Sequence, residues 1–186
     1  NMGRELYESS KVFRDCMDEC NKLFKPLILQ SITNLLYSEN AQEEIVGRTV
    51  NAQPLIFSIE YSLAQMWGAI GVEPSVVVGH SIGEYAAAVT AGILNLSDAV
   101  KMVAIRGRLM DSVTEPGTMA SILATEEVVL EMIADYKDSV SVAVVNSENN
   151  CVISGKVKDV ETIIAKAQTN GFSVKQLKVS QGFHSV

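Results

Sequence analysis

The sequence is short of several things, and each shortage closes off a class of protein. Its 186 residues contain no apolar run of 18 or more, so no membrane-spanning helix is expected. The opening residues, Asn1 to Glu8, are polar and helix-like, so no secretory leader is expected either. Basic residues are few: 15 Lys and Arg against 22 Asp and Glu give a net charge of −7, which argues against nucleic acid as a partner. Cysteine is scarce and odd in number. Cys16 and Cys20 sit one helical turn apart, Cys151 is far away, and a two-cysteine metal clip would lack its other ligands. Reduced thiols in a cytoplasmic protein, with no bound metal, are the expectation. Histidine is rarer still, at two, and that shortage becomes useful below.

The remainder is ordinary globular material. At 47% hydrophobic and 20% charged, the chain can bury a sizeable core in one domain or in two joined subdomains. Apolar spacing predicts helices over 4–24 and 52–70, the second stopped by Gly71. Residues 74–79 form a short β-branched run without alternation, the pattern of a strand buried on both faces of a parallel sheet. Helices follow at 83–91 and from Leu96 to about 112, the latter with Ser97 as N-cap and Asp98 in its first turn. Beyond Pro116-Gly117 the pattern changes to strand 118–124, helix 126–136, strands 139–146 and 150–154, helix 156–169 and strand 172–179. That β-α-β-β-α-β order is ferredoxin-like. The expectation is an α/β protein with a parallel-sheet catalytic core, 1–115 and 180–186, and a ferredoxin-like subdomain inserted at 116–179.

Gly79-His80-Ser81-Ile82-Gly83 is a G-x-S-x-G turn placed between a predicted strand and a predicted helix. A sharp turn of this kind pushes the serine outward, and side chains at the glycine positions would obstruct it. The amide of Ile82 and the start of the following helix are placed to stabilise an oxyanion. Ser81 is the candidate nucleophile. A serine hydroxyl needs a base, most often histidine. His80 adjoins Ser81 in the turn and is poorly directed, which leaves His184, 103 positions downstream.

Arg106 is the unusual residue. Ala99, Val103, Arg106 and Met110 fall on one stripe of a helix, while Lys101 and Arg108 face away. A guanidinium stays charged, so burying it requires a partner. That partner is either an internal carboxylate, with Glu84 the obvious choice, or a carboxylate that arrives with the substrate and is gripped by the planar fork.

These residues together resemble the malonyl-CoA:acyl-carrier-protein acyltransferase family. The segment Gly79 to Ala87 looks like its active-site stretch, and Ala91 to Ala99, Arg106 to Met110, Pro116 to Ala120, Val145 to Ser147, Val152 to Gly155 and Phe183 to Ser185 continue the likeness in the family's order. Gln53-Pro54-Leu55-Ile56 leading into Tyr61-Ser62-Leu63-Ala64 is similar to domains embedded in modular polyketide synthases. The resemblance implies a hydrolase-like core with a ferredoxin-like insert and a ping-pong reaction without a bound cofactor. Ser81 would take an acyl group from malonyl-CoA with His184 as base, then pass it to the phosphopantetheine thiol of an acyl carrier protein. Arg106 matches the residue that holds the malonyl carboxylate, and Met110 and Asn146 match positions lining the pocket. Phe183 and Ile82 resemble malonyl-selective domains, since a methylmalonyl-selective one usually has serine at the Phe183 position. The resemblance also implies further segments before Asn1 and after Val186, bearing a Gly-Gln-Gly oxyanion turn and groups that orient His184, and neighbouring synthase domains as partners. Two other readings share parts of the pattern. A serine carboxylester hydrolase or thioesterase would use the same turn but has no need of Arg106. A structural domain that has lost its activity would have no reason to keep Ser81, Arg106 and His184.

Overall fold

A computed structural model describes residues 2–38, 42–177, 179 and 181–185, with the side chain of Glu43 left aside. The chain divides into two compact units, 1–112 and 113–186.

The first unit is helical: α1 (Arg4–Ser9), α2 (Lys11–Ile28), α3 (Ile32–Tyr37), α4 (Glu43–Gly47), α5 (Thr49–Ala69), α6 (Gly83–Thr90) and α7 (Leu96–Asp111). The helix expected over 4–24 is two helices. Ser10 adopts an extended backbone between them, and its side chain accepts from the Phe13 amide, so it ends one helix and caps the next. On α2 the residues Phe13, Met17, Cys20 and Phe24 recur at three- and four-residue spacing and are wholly buried. They meet Leu55, Phe57 and Ile59 of α5 and Val100, Val103 and Ala104 of α7 in one core. α5 and α7 approach closely because Gly107 has no side chain; a β-carbon there would stand 3.3 Å from Thr49 O and Val50 Cα. Asn95, rather than the expected Ser97, caps α7 by accepting from the Asp98 amide at 2.9 Å. Both residue types cap well, and the helix simply starts two positions earlier.

Residues 74–79 differ from expectation. Among the described residues they form no strand, and no parallel sheet is present. The physical reason is the lack of a neighbour: β structure is defined by a ladder of hydrogen bonds to another strand, and none of the described residues forms one with this segment. Val76 and Val78 are accordingly 80% and 90% exposed.

In the second unit, β1 (Gly117–Ile122), α8 (Glu126–Met132), β2 (Val140–Ser147), β3 (Asn150–Lys156), α9 (Val157–Thr169) and β4 (Val174–Gln176) follow one another, with a 3-10 turn at Ala134–Tyr136. The sheet order is β2-β3-β1-β4, every pair antiparallel, with Ala120 opposite Ile153 and Ser121 opposite Lys175. This is the ferredoxin-like arrangement that the sequence order implied. Val129, Met132, Val160, Ile163 and Ala167 of the two helices close over Ala120, Ile122, Cys151 and Ile153 of the sheet. The strand expected over 172–179 is shorter, at 174–176, and Lys178 lies outside the described residues.

Candidate active site

The serine turn is built from backbone geometry. Ser81 has φ of 53°, the left-handed region that non-glycine residues seldom occupy. Holding it there costs about 1–3 kcal/mol, strain of the kind that clusters at functional sites. Gly79 is required next to it, because a β-carbon at that position would land on the backbone of Glu84. Gly83 is less constrained than expected: a β-carbon there would make only ordinary contact, its nearest neighbour being Glu60 Oε1 at 3.5 Å. The amides of Gly83, Glu84 and Tyr85 bond to the carbonyls of His80, Ser81 and Ile82, which turns the chain directly into α6. The Ile82 amide takes no part in these three bonds.

Arg106 points from α7 to the same place. Its Nη2 donates to Ser81 Oγ at 3.1 Å, and its Nη1 donates to Gln53 Oε1 at 2.5 Å. Ala99 and Val103 on its stripe are wholly buried, Arg106 and Met110 are half-buried, and Lys101 and Arg108 are exposed, as the spacing predicted. Among the described residues no carboxylate pairs with Arg106, and Glu84 is exposed on α6. The fork is therefore met by two neutral oxygens. Gln53 is only 6% exposed, and its Nε2 donates to Met110 Sδ at 3.1 Å, so both ends of the amide are committed. Gln53 is the site residue that reading the sequence for chemistry did not single out. An uncharged polar side chain on an apolar helix gives little signal, although two buried polar neighbours, Asn51 and Ser58, mark this stretch of α5 as unusual.

The other expected site residues lie in the second unit. Asn146 is exposed on β2, at a register irregularity between Val145 and Ser147. Phe183 is half-buried, and His184 is exposed with φ of 56°. The segment carrying them is seated on the sheet: Gly182 lies so close to Gly117 that a β-carbon on Gly117 would strike its amide, and Gln181 Nε2 donates to Val113 O at 2.8 Å. Ser81, Ile82, Arg106 and Met110 thus belong to one unit, and Asn146, Phe183 and His184 to the other.

A cavity of about 880 Å³ adjoins the serine turn in the first unit, with Glu60, Trp67, Val78, Gly79, His80 and Gly83 in its walls. Neither Ser81 nor Arg106 lines it. Its walls are mostly apolar, and the chemistry just described lies elsewhere. The three cysteines are free thiols; burial pushes the Cys20 thiol up to about 12, which keeps it protonated. Among the described residues no group of ligands is arranged for a metal ion, and no helix is long and apolar enough to cross a membrane.

The acyl transferase domain family matches residues 1–186, the whole chain. Erythronolide synthase EryA3 of Saccharopolyspora erythraea is 37% identical over 184 residues, covering 99% of this chain and 6% of that protein. Polyketide synthase GfsB of Streptomyces halstedii is 40% identical over 185 residues, covering 99% of this chain and 3% of its own length. Among solved structures, the acyltransferase domain from the second module of the salinomycin polyketide synthase superposes with a TM-score of 0.90 at 39% identity, covering 99% of this chain and 42% of that one. The chain therefore spans a small part of its curated relatives and less than half of this solved domain. By match, identity and superposition it belongs to the acyl transferase domain family, with its likeness to the domains carried by modular polyketide synthases.

Proposed function

We propose that this acyltransferase domain moves a malonyl group from coenzyme A to the phosphopantetheine thiol of an acyl carrier protein. The observation that carries this reading is the 3.1 Å contact between Arg106 Nη2 and Ser81 Oγ. It sets a permanent cation one hydrogen bond from a serine on a strained turn. In the unloaded protein the fork holds neutral acceptors, and a carboxylate is a stronger acceptor than either. Ser81 Oγ attacks the thioester carbon while His184 takes the hydroxyl proton, and the oxyanion gathers at the Ile82 amide and the start of α6. Collapse expels the coenzyme A thiolate, which receives that proton. The carrier's thiol then repeats the attack on the acyl-serine, His184 takes the thiol proton, and Ser81 leaves with it. Met110, Asn146, Ile82 and Phe183 line the acyl pocket in this scheme, with Phe183 limiting room for an added methyl.

The same reading makes 74–79 a strand of a parallel core sheet shared with further polypeptide, 1–115 and 180–186 the catalytic core, and other synthase domains of a cytoplasmic assembly the neighbours. The solved malonyltransferase of Burkholderia pseudomallei, 29% identical with a TM-score of 0.85, supports the choice of acyl group.

The test compares kcat/KM for malonyl-CoA and acetyl-CoA in wild type and Arg106→Ala. Losing a charged contact of this kind costs about 2–5 kcal/mol, roughly 30-fold to several thousand-fold, and the loss should fall on malonyl-CoA alone. Equal losses for both substrates, with a lowered melting temperature, would make Arg106 structural.

A further inference from the structure

Among the described residues three other than glycine have left-handed φ: Leu29, Ser81 and His184. Leu29 does so where α2 ends, a usual place for that conformation. Ser81 is followed at once by α6, and its carbonyl accepts from the Glu84 amide there. His184 lies instead in a turn with Phe183, between Gly182 and Ser185. Turns ordinarily place glycine or asparagine where φ is positive, so a histidine persists there only if its surroundings fix it.

Before His184 the backbone is pinned: Gln181 Nε2 donates to Val113 O, and Gly182 is pressed against Gly117 of β1. After it, Ser185 turns back, and its Oγ donates to Gly182 O at 2.8 Å. In a four-residue turn the carbonyl of the first residue is the acceptor that closes the loop. Here the hydroxyl of the fourth residue reaches that carbonyl, a bond that serine side chains commonly offer to nearby backbone. The bond spans Phe183 and His184 and ties the residue after the histidine to the pinned backbone before it. We propose that Ser185 is a positioning residue for the base, its hydroxyl closing the turn that keeps His184 in its left-handed conformation. This rests on His184 being the base. Ser185 is exposed, so truncating its side chain removes this bond and little packing. Without the bond the turn relaxes toward negative φ, and the imidazole leaves the orientation in which it takes the serine proton.

The experiment takes two readings in the protein at its natural length. Single-turnover acylation of Ser81, followed by intact mass after a quench, gives the rate at saturating malonyl-CoA and the concentration that half-saturates it. Millisecond hydrogen exchange of the 181–185 amides reads the turn itself. Ser185→Ala should slow acylation and speed exchange by about 3- to 10-fold each, the span of one neutral hydrogen bond. The half-saturating concentration should stay within about twofold and the melting temperature should not move. Ser185→Thr keeps the hydroxyl and should restore both readings to within about twofold of wild type. The proposal requires both changes in Ser185→Ala, so a wild-type value of either overturns it. A loss in Ser185→Thr equal to that in Ser185→Ala also overturns it, as does a change confined to the half-saturating concentration. Should Ser185→Ala fail to fold, Ser185→Cys, whose thiol is a weak donor, carries the same expectation and the same refutation. His184→Ala is measured alongside. A wild-type acylation rate in that variant refutes the base assignment and leaves the hold of Ser185 on the turn to be decided by exchange.

Discussion

The two units close their cores differently. In residues 113–186 each strand has a partner, and the helices α8 and α9 cover Ile122 and Ile153 completely. In residues 1–112 the helices bury Phe13, Phe24 and Phe57 just as well, yet Val76 and Val78 stand in the open beside a large cavity. The contrast teaches that an apolar β-branched run specifies burial without supplying it. Among the described residues each of the four strands of the second unit has a partner, whereas the run at 74–79 has none. The chemistry is divided along the same line, with Ser81 and Arg106 in the helical unit and His184 in the sheet unit.

The division of chemistry breaks if histidine proves idle. His184→Ala should slow Ser81 acylation by about 10² to 10⁴, the usual worth of general-base assistance, as read by intact-protein mass after malonyl-CoA. His80→Ala should cost far less, and the reverse order would put the base within the helical unit. The contrast in packing is sharpened by matched truncations. Ile153→Ala should lower unfolding free energy by about 2–5 kcal/mol in denaturant melts, because its site is closed on all sides. Gln53→Leu comes next: it deprives Arg106 of a neutral acceptor, and the lost bond to a charged group should cost about 1.5–3 kcal/mol, or roughly 10- to 150-fold in kcat/KM for malonyl-CoA. Val78→Ala is the smallest effect. In the 186-residue chain it should change stability by no more than about 0.5 kcal/mol, as exposed positions do. In the protein at natural length it should cost about 1.5–2 kcal/mol if the run at 74–79 is covered there as a core strand. Equal small effects in both would remove the parallel sheet from the proposed fold.

Much of this was legible in the residues because the periodicity that marks each element is local. The ferredoxin-like unit shows its order of strands and helices in the residue pattern alone, although β1 pairs with β3 and β4 far along the chain. The serine turn announced itself through its glycines, although only Gly79 proves to be pressed against backbone. Arg106 was legible as a cation on an apolar stripe. Its partners were not, because Gln53 lies 53 positions away and pairs through helix packing rather than through any spacing. The break at Ser10 was missed for the opposite reason: the helical periodicity runs on through the junction, and only the cap interrupts it.

The contact among Gly117, Gly155 and Gly182 has a consequence for exchanging pieces between related domains. A β-carbon on Gly117 would collide with Gly182, one on Gly155 would strike Ser139 O, and one on Gly182 would crowd Gly155 and Ser154 Oγ at 3.1 Å. Three stretches of backbone distant in sequence are thus fitted like the wards of a lock. A chimera that takes the Phe183-His184 segment from one parent and the sheet from another inherits two halves of that fitting. Swapping 113–186 as a block keeps the match, whereas a crossover between 155 and 182 makes the placement of His184 depend on whether both parents carry glycine at all three positions.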